Sequence, residues 1–163
     1  MREFNIERDE SGKEFIRVHL TGASLLRDPL FNKSTAFPLE ERLALGLHGL
    51  LPPTVSSVEQ QTERVYLNYR RKTEDLERYN HLMSLYDRNQ TLFHRLLHDH
   101  LEEFMPIVYT PTVGLACQLY SKIFRRPRGL YLSIDDAPRM EQVLTHAPFS
   151  NVSVIVATDN ESI

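Results

Sequence analysis

Along the middle of the chain, apolar residues recur three and four positions apart, which is helix spacing and not the alternation of a half-buried strand. Leu39, Leu43, Leu47 and Leu50 form the first such stripe. Pro38 opens this helix, where its missing N–H costs little, and Gly49 with Pro52-Pro53 ends it. Ser57 and Gln60 make a capping-box pattern for a second helix with Val58, Thr62, Val65 and Tyr69 as its less polar stripe. Arg70-Arg71-Lys72 then places positive charge at the C-terminal end of its dipole. A third helix is expected from Glu74 to Leu85, with Leu76, Tyr79 and Met83 inward. Asp87-Arg88-Asn89-Gln90 breaks it, and Asn89 can cap a fourth helix carrying Phe93, Leu97, Leu101 and Phe104 on one face. A fifth carries Val113, Ala116, Leu119, Tyr120 and Ile123.

The two ends read differently. Residues 1–24 are a polar lead in which Phe15–Leu20 is β-prone. Leu130–Ile134 reads as a strand, Asp136 as the cap of a short helix with Met140, Val143 and Leu144, and Val152–Ala157 as a strand buried on both faces. Strand, helix and strand within this span predict a parallel, right-handed βαβ unit. The expected fold class is α/β overall: a mostly helical N-terminal region, then an opening βαβ unit. The expected division is a lead at 1–24, a helical region at 25–128 and the start of an α/β domain at 129–163.

Composition narrows the functional classes. The 163 residues, 41% hydrophobic, suffice for one compact core or a small domain with an appendage. A net charge of −3 gives no general attraction to nucleic acid or an anionic membrane. Three arginines, Arg125, Arg126 and Arg128, beside a proline turn are a weak nucleic-acid signal on such a chain. The single Cys117 excludes an internal disulfide and fits a reducing compartment. No apolar run reaches membrane-spanning length, and the acidic start lacks a signal-peptide core, so cytoplasm is the expectation.

Three groups of residues could carry chemistry. In Met105–Gly114, Pro106 and Pro111 fix the backbone on either side of Tyr109, and Thr112 can cap the following helix. A tyrosine held there suits proton transfer beside an anionic substrate. Physics alone favours a plainer reading, a buried tyrosine bracing a proline turn. Gln61 and Arg64 share a helix face, and Arg88 lies in a break that can bring it alongside. Two guanidinium groups and an amide suit a small dianion such as fumarate; the plainer alternative pairs the arginines with Glu63, Asp87 or Asp99. His94 and His98 are an i, i+4 pair of metal-capable spacing, but no third ligand is evident and a solvated helix face explains them better.

Pro106-Ile-Val-Tyr-Thr-Pro-Thr-Val-Gly114, followed by Ile123-Phe-Arg-Arg-Pro-Arg-Gly129, resembles the signature of malic enzymes. Phe31-Asn-Lys-Ser-Thr-Ala-Phe37 and Gly46-Leu-His-Gly-Leu-Leu-Pro-Pro53 are similar to earlier motifs of the same family. The resemblance runs from about Leu25 to Ile163. It implies oxidative decarboxylation of malate to pyruvate and CO2, with NAD or NADP and a divalent metal, Mg2+ or Mn2+, in a homodimer or tetramer. It places the catalytic tyrosine at Tyr109. It also aligns Gln61, Arg64 and Arg88 with the fumarate-activator residues of those members that are activated.

The family's catalytic lysine, acidic metal ligands and dinucleotide-binding domain have no counterpart here. The chain is therefore expected to be an N-terminal fragment that holds no cofactor and does not turn over malate alone. NAD and NADP stay undistinguished, because the residues that read the ribose belong to that domain. One departure stands out. Where most malic enzymes have Gly-Glu-Arg-Ile after Ala157-Thr-Asp159, this chain has Asn160-Glu-Ser-Ile163. Ser162 cannot make the bidentate contact that an arginine makes to a carboxylate. Malolactic enzymes also lack that arginine, so a malolactic-type fragment is one alternative. A non-catalytic helical oligomerisation module is another.

Overall fold

The computed structural model describes residues 6–123, 126 and 130–147. They divide into two units, one holding residues 18–123 and the other holding 6–17 with 126 and 130–147.

The larger unit is helical. Its elements are α1 (Gly22–Leu26), α2 (Leu39–Ala44), α3 (Val58–Arg70), α4 (Asp75–Tyr86), α5 (Gln90–Asp99), α6 (Leu101–Val108) and α7 (Thr112–Gln118). The main core lies among α3, α4, α5 and α6 and is built on Val65, Tyr69, Leu82, Leu85, Leu92, Phe93, Leu96, Phe104 and Ile107. Burial pushes the Tyr69 phenol up to about 12, so it remains a neutral ring packed on Phe104. A smaller core of Leu25, Phe37 and Leu47 sits under the loops that precede and follow α2.

The local signals at the starts of α3 and α5 hold. Ser57 and Gln60 form both halves of the capping box on α3, and the Asn89 side chain accepts from Leu92 N–H on α5. The apolar faces hold less well. On α2 the leucine stripe faces outward, with Leu39 and Leu43 exposed, while Arg42 is buried. The helix is only six residues long because Gly46, at φ 66°, closes it with a Schellman turn. Leu47 N–H donates to Arg42 O and Gly46 N–H to Leu43 O, which delivers Leu47 into the small core. On α4 the fully buried positions are Leu82 and Leu85, with Tyr79 and Met83 beside them.

The fourth expected helix is two helices. His100, at φ −133° and ψ 39°, breaks it, and its ring stacks on Tyr66 of α3 at 3.9 Å. The break turns Leu101 outward, 51% exposed, and resets the inward positions to Phe104 and Ile107. Pro106 lies inside α6, so Met105 is helical and the approach to Tyr109 is not extended.

In the smaller unit, β1 (Ile6–Arg8) and β2 (Glu14–Ile16) form an antiparallel hairpin with Ile6 opposite Ile16. Arg8 pairs with Glu14 and Arg17 with Glu7 across it. Only the start of the β-prone Phe15–Leu20 run is therefore strand. Residues 130–133 carry no strand, and Ile134–Arg139 is a 3-10 helix whose Ile134 is 87% exposed. Ser133 caps it, with Asp136 closing the box from the N3 position; Asp136 is thus not the cap itself. Helix α8 (Met140–Thr145) follows. The short polar capping box at Ser133 outcompetes the β-propensity of Tyr131 and Ile134. The expected strand at 152–157, Ser162, Arg125 and Arg128 lie outside the described residues. The mostly helical N-terminal architecture is what the described residues show, with a two-stranded hairpin added.

Candidate functional site

Tyr109 is the C-cap of α6, in extended conformation at φ −128° and ψ −157°. Its backbone is held from both sides: its N–H donates to Met105 O, and its carbonyl accepts from Val113 N–H. The next peptide, Thr110–Pro111, is cis, and α7 starts at Thr112. Thr112 is not the cap. It is the first helical residue, buried, and Pro111 occupies the cap position without a side-chain bond. The tyrosine side chain is 57% exposed. That removes the plainer reading of a buried bracing residue. Its hydroxyl has no hydrogen-bond partner among the described residues, so it is free to meet a ligand.

The second candidate group is spread over three pieces of chain. Gln61, on α3, is 3% exposed, and its Nε2 donates to Lys33 O at 3.2 Å. One of its two amide hydrogens is therefore committed to the protein. Arg64, one turn along α3, is exposed, as is Arg88 in the turn between α4 and α5. Among the described residues neither arginine makes an ion pair; Asp99 is taken by Arg95. Burial holds the neighbouring His81 imidazole below its usual pKa, and the positive charges of Lys72 and Arg88 act in the same direction.

Gln61 and the backbone of Arg88 are tied to two consecutive residues, and no bond among the described residues ties Arg64 to either. Asn32 Nδ2 donates to Arg88 O at 3.1 Å, and Lys33 O is the acceptor for Gln61. A cavity of about 40 Å³, lined by Lys33, Val58, Gln61, Asn89, Thr91 and Leu92, marks the junction.

His94 and His98 do not share a ligand. Both are exposed; Nδ1 of His94 lies 2.8 Å from Gln90 O and Nδ1 of His98 lies 3.2 Å from Asp99. No three His, Cys, Asp or Glu side chains converge as a metal site among the described residues, so these residues do not by themselves fit a divalent cation. Among the described residues, no helix is long and apolar enough to cross a membrane.

Residues 86–163 match the family model described as malic enzyme, N-terminal domain. Across 154 residues, 94% of the chain, the sequence is 49% identical to an NAD-dependent malic enzyme of Pseudomonas aeruginosa. It is 52% identical over 146 residues, 90% of the chain, to an NADP-dependent malic enzyme of Mus musculus, and 51% identical over the same length to that of Homo sapiens. The chain belongs to the malic enzyme family. It spans 27% of the length of the bacterial relative and 26% of each mammalian one. Relatives of both cofactor types match it about equally well, so the malic enzyme resemblance does not choose between NAD and NADP.

Two residues that matter for this malic enzyme chain went unread in the sequence. Asn32 was legible only as a turn residue, because the acceptors of its amide group lie 6 and 56 positions away. Arg42 was legible only as a helix residue, because all its partners are backbone carbonyls outside its helix.

Proposed function

We propose that the chain is the N-terminal part of an oxidoreductase that converts malate to pyruvate and CO2 with NAD or NADP, and that Tyr109 is its general acid. The observation that carries the second half is the exposed, unbonded phenol of Tyr109, on a backbone fixed by α6 and α7. Loss of hydride from malate C2, together with the proton of its C2 hydroxyl, leaves a 2-oxo acid. Loss of CO2 then leaves the enol of pyruvate, which must gain a proton at C3. A phenol positioned at C3 can donate that proton as a general acid. A nicotinamide cofactor would supply the hydride acceptor in the full-length protein.

Product analysis tests the reaction directly. The full-length protein, given malate with each nicotinamide cofactor and Mg2+ or Mn2+, should release pyruvate and CO2 and accumulate reduced cofactor in equal amounts. Lactate in place of pyruvate, with no net cofactor reduction, would establish the malolactic alternative.

The second part of the reading is a regulatory dicarboxylate site made by Gln61, Arg64 and Arg88. Its support is that both guanidinium groups are exposed and unpaired among the described residues, while Gln61 and the Arg88 backbone are tied to one dipeptide. Each arginine can hold one carboxylate of fumarate, and Gln61 retains one amide hydrogen. An interaction of this kind is worth about 1.5–3 kcal/mol, so Arg64→Ala should weaken fumarate binding by roughly tenfold or more. A fumarate titration at low malate checks this; a variant that responds as wild type does would place any activator elsewhere. The assembly is proposed to be a homodimer or tetramer.

A further inference from the structure

We propose that Asn32 is a positioning residue for the dicarboxylate site, setting where Arg88 stands relative to Gln61 and Arg64. The inference rests on the reading of that site given above and assigns a role to a side chain outside it.

The Asn32 side chain uses both of its amide hydrogens and its oxygen. Nδ2 donates to Leu26 O at 2.9 Å and to Arg88 O at 3.1 Å, while Oδ1 accepts from Ser34 N–H at 2.7 Å. Two of these bonds hold its own loop, including the turn at Ser34, whose φ is 52°. The third reaches across to the break between α4 and α5. Two further bonds bracket it: Gln90 N–H donates to Pro29 O at 2.8 Å, and Gln61 Nε2 donates to Lys33 O. Residues 29–33 therefore hold α3 on one side and the 88–90 turn on the other.

This geometry matters because Arg88 has no ion pair among the described residues to fix it. Its side chain is exposed, and its position is inherited from its backbone. Arg88 N–H donates to Leu85 O, and the Arg88 carbonyl is held by Asn32. The cavity at the junction, about 40 Å³, is lined by neither Arg64 nor Arg88. A dicarboxylate must then lie over the exposed guanidinium groups, where a small shift of the Arg88 backbone changes their separation. A flexible arginine anchored by its backbone loses less freedom on binding than one on a loose loop.

The test is a fumarate binding titration of the full-length protein, followed by calorimetry, on wild type, Asn32→Asp and Asn32→Ala. Asn32→Asp keeps the acceptor for Ser34 and removes both donors; Asn32→Ala is neutral and guards against an effect of added charge. Both should weaken fumarate by about tenfold. In an Arg88→Ala background Asn32→Ala should add little further loss, because no guanidinium remains to be placed. In an Arg64→Ala background its full loss should persist. Loss of equal size in both backgrounds would reduce Asn32 to a general stabiliser of the fold and overturn the proposal. So would unchanged fumarate affinity in both single variants, with wild type binding normally. A wild type that does not bind fumarate would instead overturn the dicarboxylate site, and this role with it.

Discussion

Replacing Tyr109 with phenylalanine should lower kcat of the full-length protein by about 10²–10⁴-fold, the range for a positioned acid or base. The substitution is well suited to the question. The phenol is more than half exposed, and removing its hydroxyl breaks no bond among the described residues. The backbone bonds from Met105 and to Val113 do not involve the side chain and should persist. Malate KM should change little, and the melting temperature should stay where it is. A loss of only a few-fold, with chemistry shown to limit the rate, would leave Tyr109 a surface residue beside the true acid.

Replacing Arg42 with methionine should destabilise the larger unit more than any other single change to an exposed or polar residue in it. Arg42 is 3% exposed, and no carboxylate pairs with it among the described residues. Its charge is instead spread over carbonyl oxygens. Nε donates to Phe37 O at 2.8 Å, Nη1 to Pro52 O at 2.7 Å, and Nη2 to Thr35 O at 3.0 Å. Longer bonds reach Pro53 and Thr54. One guanidinium thereby ties the Phe31–Phe37 stretch to the Gly46–Pro53 stretch, over the small core of Leu25, Phe37 and Leu47. Methionine fills the stem volume but leaves those acceptors unpaired. Hydrogen bonds to a charged group are worth about 1.5–3 kcal/mol each, and unpaired buried acceptors add to the loss. A net cost of about 3 kcal/mol is expected, which lowers the melting temperature by roughly 10 °C for a unit of this size. Lysine should rescue only part of it, since its three donors leave from one atom and cannot reach both loops. A melting temperature within a degree or two of wild type would show that water replaces the guanidinium.

These two residues mark the boundary of what the sequence discloses. Several features fixed within four residues were legible: the Ser57–Gln60 box, the Asn89 cap and the start of α2 after Pro38, though not the caps at Pro111 and Ser133. Faces set by distant partners were not. The leucine spacing in α2 is helical and correct as a period, yet the buried residue is Arg42, because the acceptors at 35, 37 and 52–54 lie outside the helix. The split at His100 was invisible because its cause is a ring on another helix, Tyr66. In the candidate site, Tyr109 was found through its motif, but its exposure was not, since two prolines fit a buried turn as well as an exposed one. Gln61 and Arg64 were legible as neighbours from their spacing. The Arg88 backbone is tied to the loop that holds Gln61 through Asn32, and a bond spanning 56 positions leaves no mark in local pattern.

The role of Tyr109 as the acid at C3 of the enol is tested most directly in the reverse direction. Pyruvate incubated with the full-length protein, metal and cofactor in D2O should exchange its methyl hydrogens, because removing a C3 proton is protonation of the enol run backwards. Proton NMR of the methyl signal follows it. Wild type should exchange much faster than buffer, and Tyr109→Phe should fall towards the buffer rate while still binding cofactor. Undiminished exchange by Tyr109→Phe would contradict the account, because some other group would then be handling the proton.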